Sequence, residues 1–162
     1  EKEAVRIVKG LKKRVESVEF RVKNLKRKPR VLVVEWLEPI MVAGHWVSEM
    51  INIAGGENLL SVPRGKSKYI NIHHIKSSSP DILIISPCGF DIERIEKERF
   101  KIYDLRFKIK NKNLKVYLID GNAYMTRPGP RIVDGIEILA EILHPDIFPK
   151  KHTKEDWQEF MV

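Results

Sequence analysis

Three short, unbroken apolar runs constrain this chain more than any other feature: VLVV at 31–34, ILII at 82–85 and VYLI at 116–119. Runs of this length without polar alternation are the pattern of strands covered on both faces, as in a parallel sheet. Each run ends in polar or aromatic residues. Glu35 and Trp36 follow the first, Pro87, Cys88, Gly89 and Phe90 the second, and Asp120, Gly121, Asn122 and Tyr124 the third. Segments of helical character separate the runs, so the expected fold class is α/β, a three-layer lobe with a mostly parallel sheet, preceded by a long α-helix. In open α/β sheets the carboxyl edge of the strands holds the ligand crevice, which makes those three endings the candidate site.

The helices are legible from their punctuation. Residues 44–54 are expected to be a helix stopped by Gly55 and Gly56, because glycine adopts the left-handed C-terminal conformation without a Cβ penalty. A turn and a short extended piece cover 57–70, and a short helix over 71–79 ends before Pro80. Asp91 suits the N-cap of the next helix, with Glu93 near the positive end of its dipole. The strongly charged stretch to Asn113 carries Phe100, Tyr103, Leu105, Phe107 and Ile109 and reads as a surface helix. The last helix is expected over 131–143, with Ile132, Ile136, Leu139, Ala140 and Leu143 on its apolar face. The tail beyond Pro145 contains Trp157 and Phe160 and is expected to pack as a short helix or to be mobile.

The opening segment has its own logic. Residues 1–30 carry 12 Lys and Arg against 4 Glu, so the whole net charge of +8 sits there and the rest of the chain is neutral. Ala4, Val8, Leu11, Val15, Val18, Val22 and Leu25 recur in alternating steps of four and three. That spacing gives one apolar stripe on a helix of about 24 residues, roughly 36 Å long. Its N-terminal half is expected to be exposed or covered by a second copy. The basic total raises nucleic acid as a partner, but no nucleic-acid-binding signature accompanies it, so none is expected.

No catalytic constellation emerges. The serines at 77–79 lack a nearby base, and neither a G-x-S-x-G elbow nor a P-loop is present. Cys88 is the single cysteine, which excludes an internal disulfide and any multi-cysteine metal site. It reads as a small packing residue at the cleft floor, as a ligand contact, or as a nucleophile for which no partner has diagnostic spacing. His73 and His74 are neighbours and diverge by about 100° on a helix, so they cannot easily share a metal. They, His144 and His152 are expected to be structural or solvent-facing. No metal and no cofactor are implied.

Three segments carry a resemblance: RVLVVEWLEPIMVAGHWVSEMINIAGG at 30–56, SSSPDILIISPCGFDIERI at 77–95 and YLIDGNAYMTRPGPRIVDGIEILAEILHP at 117–145. In order and spacing they resemble the C-terminal lobe of the periplasmic binding proteins that serve ABC importers of cobalamin and iron siderophores, most closely the cobalamin-binding branch. The resemblance implies a two-lobed protein in which residues 1–28 form the interlobe helix, 29–148 the C-terminal ligand-binding lobe and 149–162 a tail. One lobe of such a protein is absent from this sequence. The chain opens on Glu1 with no initiator Met, signal peptide or lipid-anchor cysteine, so the expectation is a cut precursor or a fragment. It is extracytoplasmic if a signal peptide precedes this segment and cytoplasmic otherwise.

The resemblance also implies a corrinoid or metal-chelate ligand, importer membrane subunits as partners, and a missing N-terminal lobe or a second copy against the first helix. Trp36, Trp46, Phe90 and Tyr124 would then supply aromatic walls. Glu35, His45, Asn122 and Arg127 would supply orientation, and Cys88 a contact at the floor. Glu35 and Glu38 admit a second role, docking an arginine of the importer. Two rivals remain open at this point: a chelatase-like tetrapyrrole enzyme using His45 with Glu35, and an oligomerising sensor using the long helix.

Overall fold

The structure, a computed structural model, describes residues 2–161. The first helix, α1 (Lys2–Val22), is followed by a turn and then by β1 (Arg30–Leu37), which doubles back through a tight turn into β2 (Ile40–Val42). Next come α2 (Val47–Ile53), the short strands β3 (Glu57–Asn58) and β4 (Lys68–Tyr69), and α3 (Ile72–Ser78). β5 (Ile82–Ile85) leads into α4 (Ile92–Glu96) and α5 (Arg99–Ile109). After β6 (Lys115–Ile119) come a π-turn at Gly121–Met125, α6 (Ile132–Leu143) and β7 (Trp157–Glu159).

The sheet runs in the order β4-β2-β1-β5-β6-β7, with β3 also on β1. Its centre is parallel, with Val31 opposite Ile82 and Ile82 opposite Lys115, and both of its edges are antiparallel. The three apolar runs are thus the three central strands, and the antiparallel edges are what the sequence reading lacked. Alternation along these strands sends their side chains to opposite faces. Val31, Val33, Ile82, Ile84 and Ile119 pack under α1, α2 and α6, while Leu32, Val34, Leu83, Ile85 and Leu118 pack under α3, α4 and α5. Burying each such side chain contributes roughly 1.5–3 kcal/mol, which is why the runs tolerate no polar residue.

Helix ends follow local chemistry. Asn71 caps α3 by accepting from the backbone of His73 and His74, and the His74 ring accepts from Asn71 N in return. Asp91 caps α4 by accepting from Arg94 N at 2.8 Å. Gly55 ends α2 with φ +83°, the left-handed conformation its position requires. The Asp91-capped helix is α4 and the surface helix of the charged stretch is α5, which stops at Ile109, while the tail corrects its expectation: it is neither helical nor free. β7 pairs with β6, supplying partners to an edge strand that would otherwise expose its backbone groups. Buried Glu141 of α6 accepts from Trp157 Nε1 at 2.9 Å, from His152 Nδ1 at 2.8 Å and from Lys151 N at 3.2 Å, which pins the segment down.

α1 docks by its C-terminal half. Val18 and Val22 are buried, and Arg14 bridges Asp134 and Glu137 of α6. Farther toward its N-terminus the stripe residues Ala4 and Val8 are exposed, so this chain leaves that part of the stripe uncovered.

Candidate functional site at the carboxyl edge of the sheet

β1 carries a bulge at its end. Val34 pairs with Val42 and Trp36 with Met41, which leaves Glu35 as the extra residue. Glu35 continues the face of Val31 and Val33, toward α2 and α6, whereas Trp36 turns to the face of α4 and α5. Adjacent residues therefore enter different cavities.

The first cavity, of about 310 Å³, lies between the ends of β1, β5 and α2 and the π-turn. Glu35, His45, Trp46, Cys88, Met125 and Thr126 line it, together with Gly44, Val47 and Ser67. Trp46 is held there by donating its indole N–H to Met125 O at 3.0 Å. His45 adopts a left-handed backbone (φ 54°), donates its N–H to Gly65 O at 2.6 Å, and sets its ring 5.9 Å from that of Trp46. Gly44 N donates to Ser67 Oγ at 3.2 Å, so residues 61–67 are fastened along the rim.

The second cavity, of about 220 Å³, opens on the other face. Trp36 meets Phe90 edge-on at 5.6 Å, and the Arg94 guanidinium lies 4.5 Å from the Phe90 ring centre. Its charges are satisfied among themselves: Arg94 pairs with Glu98 at 2.8 Å, and Lys101 with Glu98 at 2.9 Å and Glu38 at 3.5 Å. The remaining sequence candidates lie elsewhere. The Tyr124 hydroxyl donates to Asp156 Oδ1 at 2.5 Å, Asn122 is half-buried with its N–H on Phe90 O, and Arg127 is exposed. A further cavity of about 220 Å³, between α1 and α6, is lined by Lys13, Arg14 and Arg21 and lies away from the strand ends.

The cavity's chemistry is that of contact rather than reaction. Burial pushes the Cys88 thiol up, the Glu35 carboxylate adds to this, and a backbone N–H only partly opposes them, so a reactive thiolate is not prepared. Among the described residues no three His, Cys, Asp or Glu side chains gather to hold a metal ion. Sequence reasoning missed Met125 and Thr126 as lining residues and Met125 O as the anchor of Trp46. A backbone carbonyl leaves no mark in composition or spacing, so only the π-turn itself, invisible beforehand, could have shown it.

Residues 1–103 match the family model described as periplasmic binding protein. The chain belongs to the periplasmic binding protein family. An uncharacterized ABC transporter substrate-binding lipoprotein of Bacillus subtilis is 27% identical over 154 residues, covering 91% of this chain and 46% of that protein. The chain therefore spans about half the length of that relative. A periplasmic heme-binding protein of Pseudomonas aeruginosa superposes with a TM-score of 0.68 at 16% identity, over 99% of this chain and 56% of its own. The periplasmic vitamin B12-binding protein of Vibrio cholerae superposes with a TM-score of 0.57 at 18% identity, over 80% and 49%. At these identities the two structures establish the shared fold alone.

Proposed function

We propose that this chain is the C-terminal lobe of an ABC importer's substrate-binding protein and contributes one wall of a cleft that captures a corrinoid such as cobalamin. The observation that carries the reading is the first cavity: an indole wall beside two polar side chains, Glu35 and His45, at the carboxyl edge of parallel strands. A broad, amide-decorated ligand needs aromatic area for contact and a few fixed polar groups for orientation. The cavity accommodates one edge of such a ligand, and a second lobe would close over the rest. The importer's membrane subunits are the partners this implies, with capture outside the cytoplasm, in keeping with a relative described as a lipoprotein. No bond is made or broken in this scheme, so the protein acts as a binder and not as an enzyme. A ferric siderophore or haem is the second reading, and the likeness to the Pseudomonas protein favours haem.

The test is a titration of the protein, with whatever sequence adjoins this chain in its gene, against cyanocobalamin and dicyanocobinamide, followed by tryptophan quenching and by heat. Saturable one-to-one binding that Trp46→Ala weakens by about tenfold or more, with the melting temperature little changed, is the expected result. A folded protein that binds neither corrinoid sinks this ligand assignment.

A further inference from the structure

We propose that Glu35 makes the first cavity selective for ligands that present hydrogen-bond donors, amide or cationic N–H groups, and against ligands that present carboxylates. This deepens the proposed function and rests on its reading of that cavity as the ligand wall.

The Glu35 side chain is only 8% exposed. Among the described residues it takes part in no side-chain hydrogen bond and no ion pair, whereas the one other carboxylate buried to this degree, Glu141, accepts three donors. A carboxylate withdrawn from water without a partner is destabilising, so such groups are normally paired or replaced. Glu35 is also not sealed in. The buried oxygens without a partner belong to Ser48 and Ser86, whereas the Glu35 carboxylate opens onto the cavity. The bulge places it there, at a position where the face of Val31 and Val33 would otherwise continue apolar.

The rest of the lining leaves this charge unanswered. No Lys or Arg lines the cavity. Two other donors are committed, the Trp46 indole to Met125 O and the Thr126 hydroxyl to Gly121 O at 2.8 Å, and Ser67 Oγ accepts from Gly44 N. The His45 ring, on the exposed rim, and the Cys88 thiol, a weak donor, share the open space with Glu35. A ligand that brings N–H groups completes Glu35. One that brings a carboxylate sets two like charges together at low dielectric. Corrinoids carry peripheral carboxamides and haem carries two propionates, so the same residue separates the two readings of the ligand.

The experiment has two arms. In the first, methylammonium and acetate are titrated into the protein while the indole Nε1–H of Trp46 is followed by NMR, assigned with Trp46→Phe. Methylammonium is expected to shift that resonance saturably and acetate to leave it in place. Glu35→Gln, which keeps the shape and removes the charge, is expected to weaken methylammonium by tenfold or more and to melt above the wild type. In the second, the wild type is expected to prefer cyanocobalamin to haem by at least tenfold, and Glu35→Gln to narrow that preference by about tenfold. A Glu35→Gln protein that melts lower, or that responds to both small ions as the wild type does, overturns the proposal. A first arm as expected, with no binding of either tetrapyrrole, supports the proposal and overturns the ligand assignment alone.

Discussion

Gly44 shows how closely one residue governs the rim of the cavity. A Cβ at this position would fall 2.3 Å from Ser67 N, 2.5 Å from the carbonyl carbon of Lys66 and 2.7 Å from Gly65 O, all backbone atoms with little freedom to retreat. Gly44→Ala is therefore expected to cost about 1–3 kcal/mol and to lift residues 61–67 off the site. Urea midpoints and trypsin cleavage after Arg64 or Lys66 check this: the variant should unfold at lower urea and be cut faster, and wild-type values for both would refute the close approach. At this scale the site was partly legible. Glu35, His45, Trp46 and Cys88 stood out as polar and aromatic groups at strand ends, and the structure gathers them around one cavity. Trp36 and Glu35 are neighbours in sequence, yet strand alternation sends them to different cavities, a separation that period two contains in principle. The bulge that shapes the approach of Glu35 has no sequence mark, since it depends on how β2 pairs.

Among the elements, the π-turn and the C-terminal segment act as a unit. Asp156 accepts from the Tyr124 hydroxyl and from Thr153 N and Oγ1, and Asp156 O accepts from Asp120 N. Burial and then Asp156 push the Tyr124 hydroxyl up to about 12, so it stays a donor. Burial works against the Asp156 carboxylate, but the Tyr124 and Thr153 donors outweigh it and hold the group below its ordinary range. The next residue, Met125, offers the carbonyl that holds Trp46. A hydrogen bond to a charged acceptor is worth about 1.5–3 kcal/mol, so Tyr124→Phe should lower stability by about that much, Asp156→Asn, which sets an amide group against one set of its three donors, by at least as much, and the double variant by less than the sum. Both should also shift the indole N–H resonance of Trp46 while that of Trp157 stays put. Additive losses with an unmoved Trp46 signal would show that the two elements are independent. The three central strands were legible because four consecutive apolar residues have few other homes. β7 and the π-turn were not, because their formation is decided by partners distant in sequence: an unpaired edge of β6 and a buried carboxylate on α6.

At the scale of the whole molecule, α1, α2 and α6 meet at one junction. A Cβ on Gly55 would lie 2.8 Å from both Val22 of α1 and Nε2 of His144, the residue that closes α6. His144 Nε2 lies 3.3 Å from Gly55 O, so the ring ties the end of α6 to the end of α2 directly beneath α1. Burial lowers its pKa from the ordinary 6.5, and the carbonyls of Gly55 and Ala54, which favour the charged ring, recover only part of that. Arg27 and Lys115, with Asp81, border the adjoining cavity of about 370 Å³. The folded state thus resists protonation that the unfolded chain accepts below pH 6.5. Stability from this group is complete above that value and is lost as the pH falls through it toward the folded-state pKa. Because Val22 is one of only two buried apolar residues on α1, charging His144 should loosen the docking of the long helix before the sheet. Hydrogen exchange of α1 amides between about pH 7.5 and about pH 5 is expected to quicken relative to the central strands. His144→Gln keeps a polar contact to Gly55 O without a titrating group and should flatten that difference, whereas an equal pH response in the variant would move the cause to another residue.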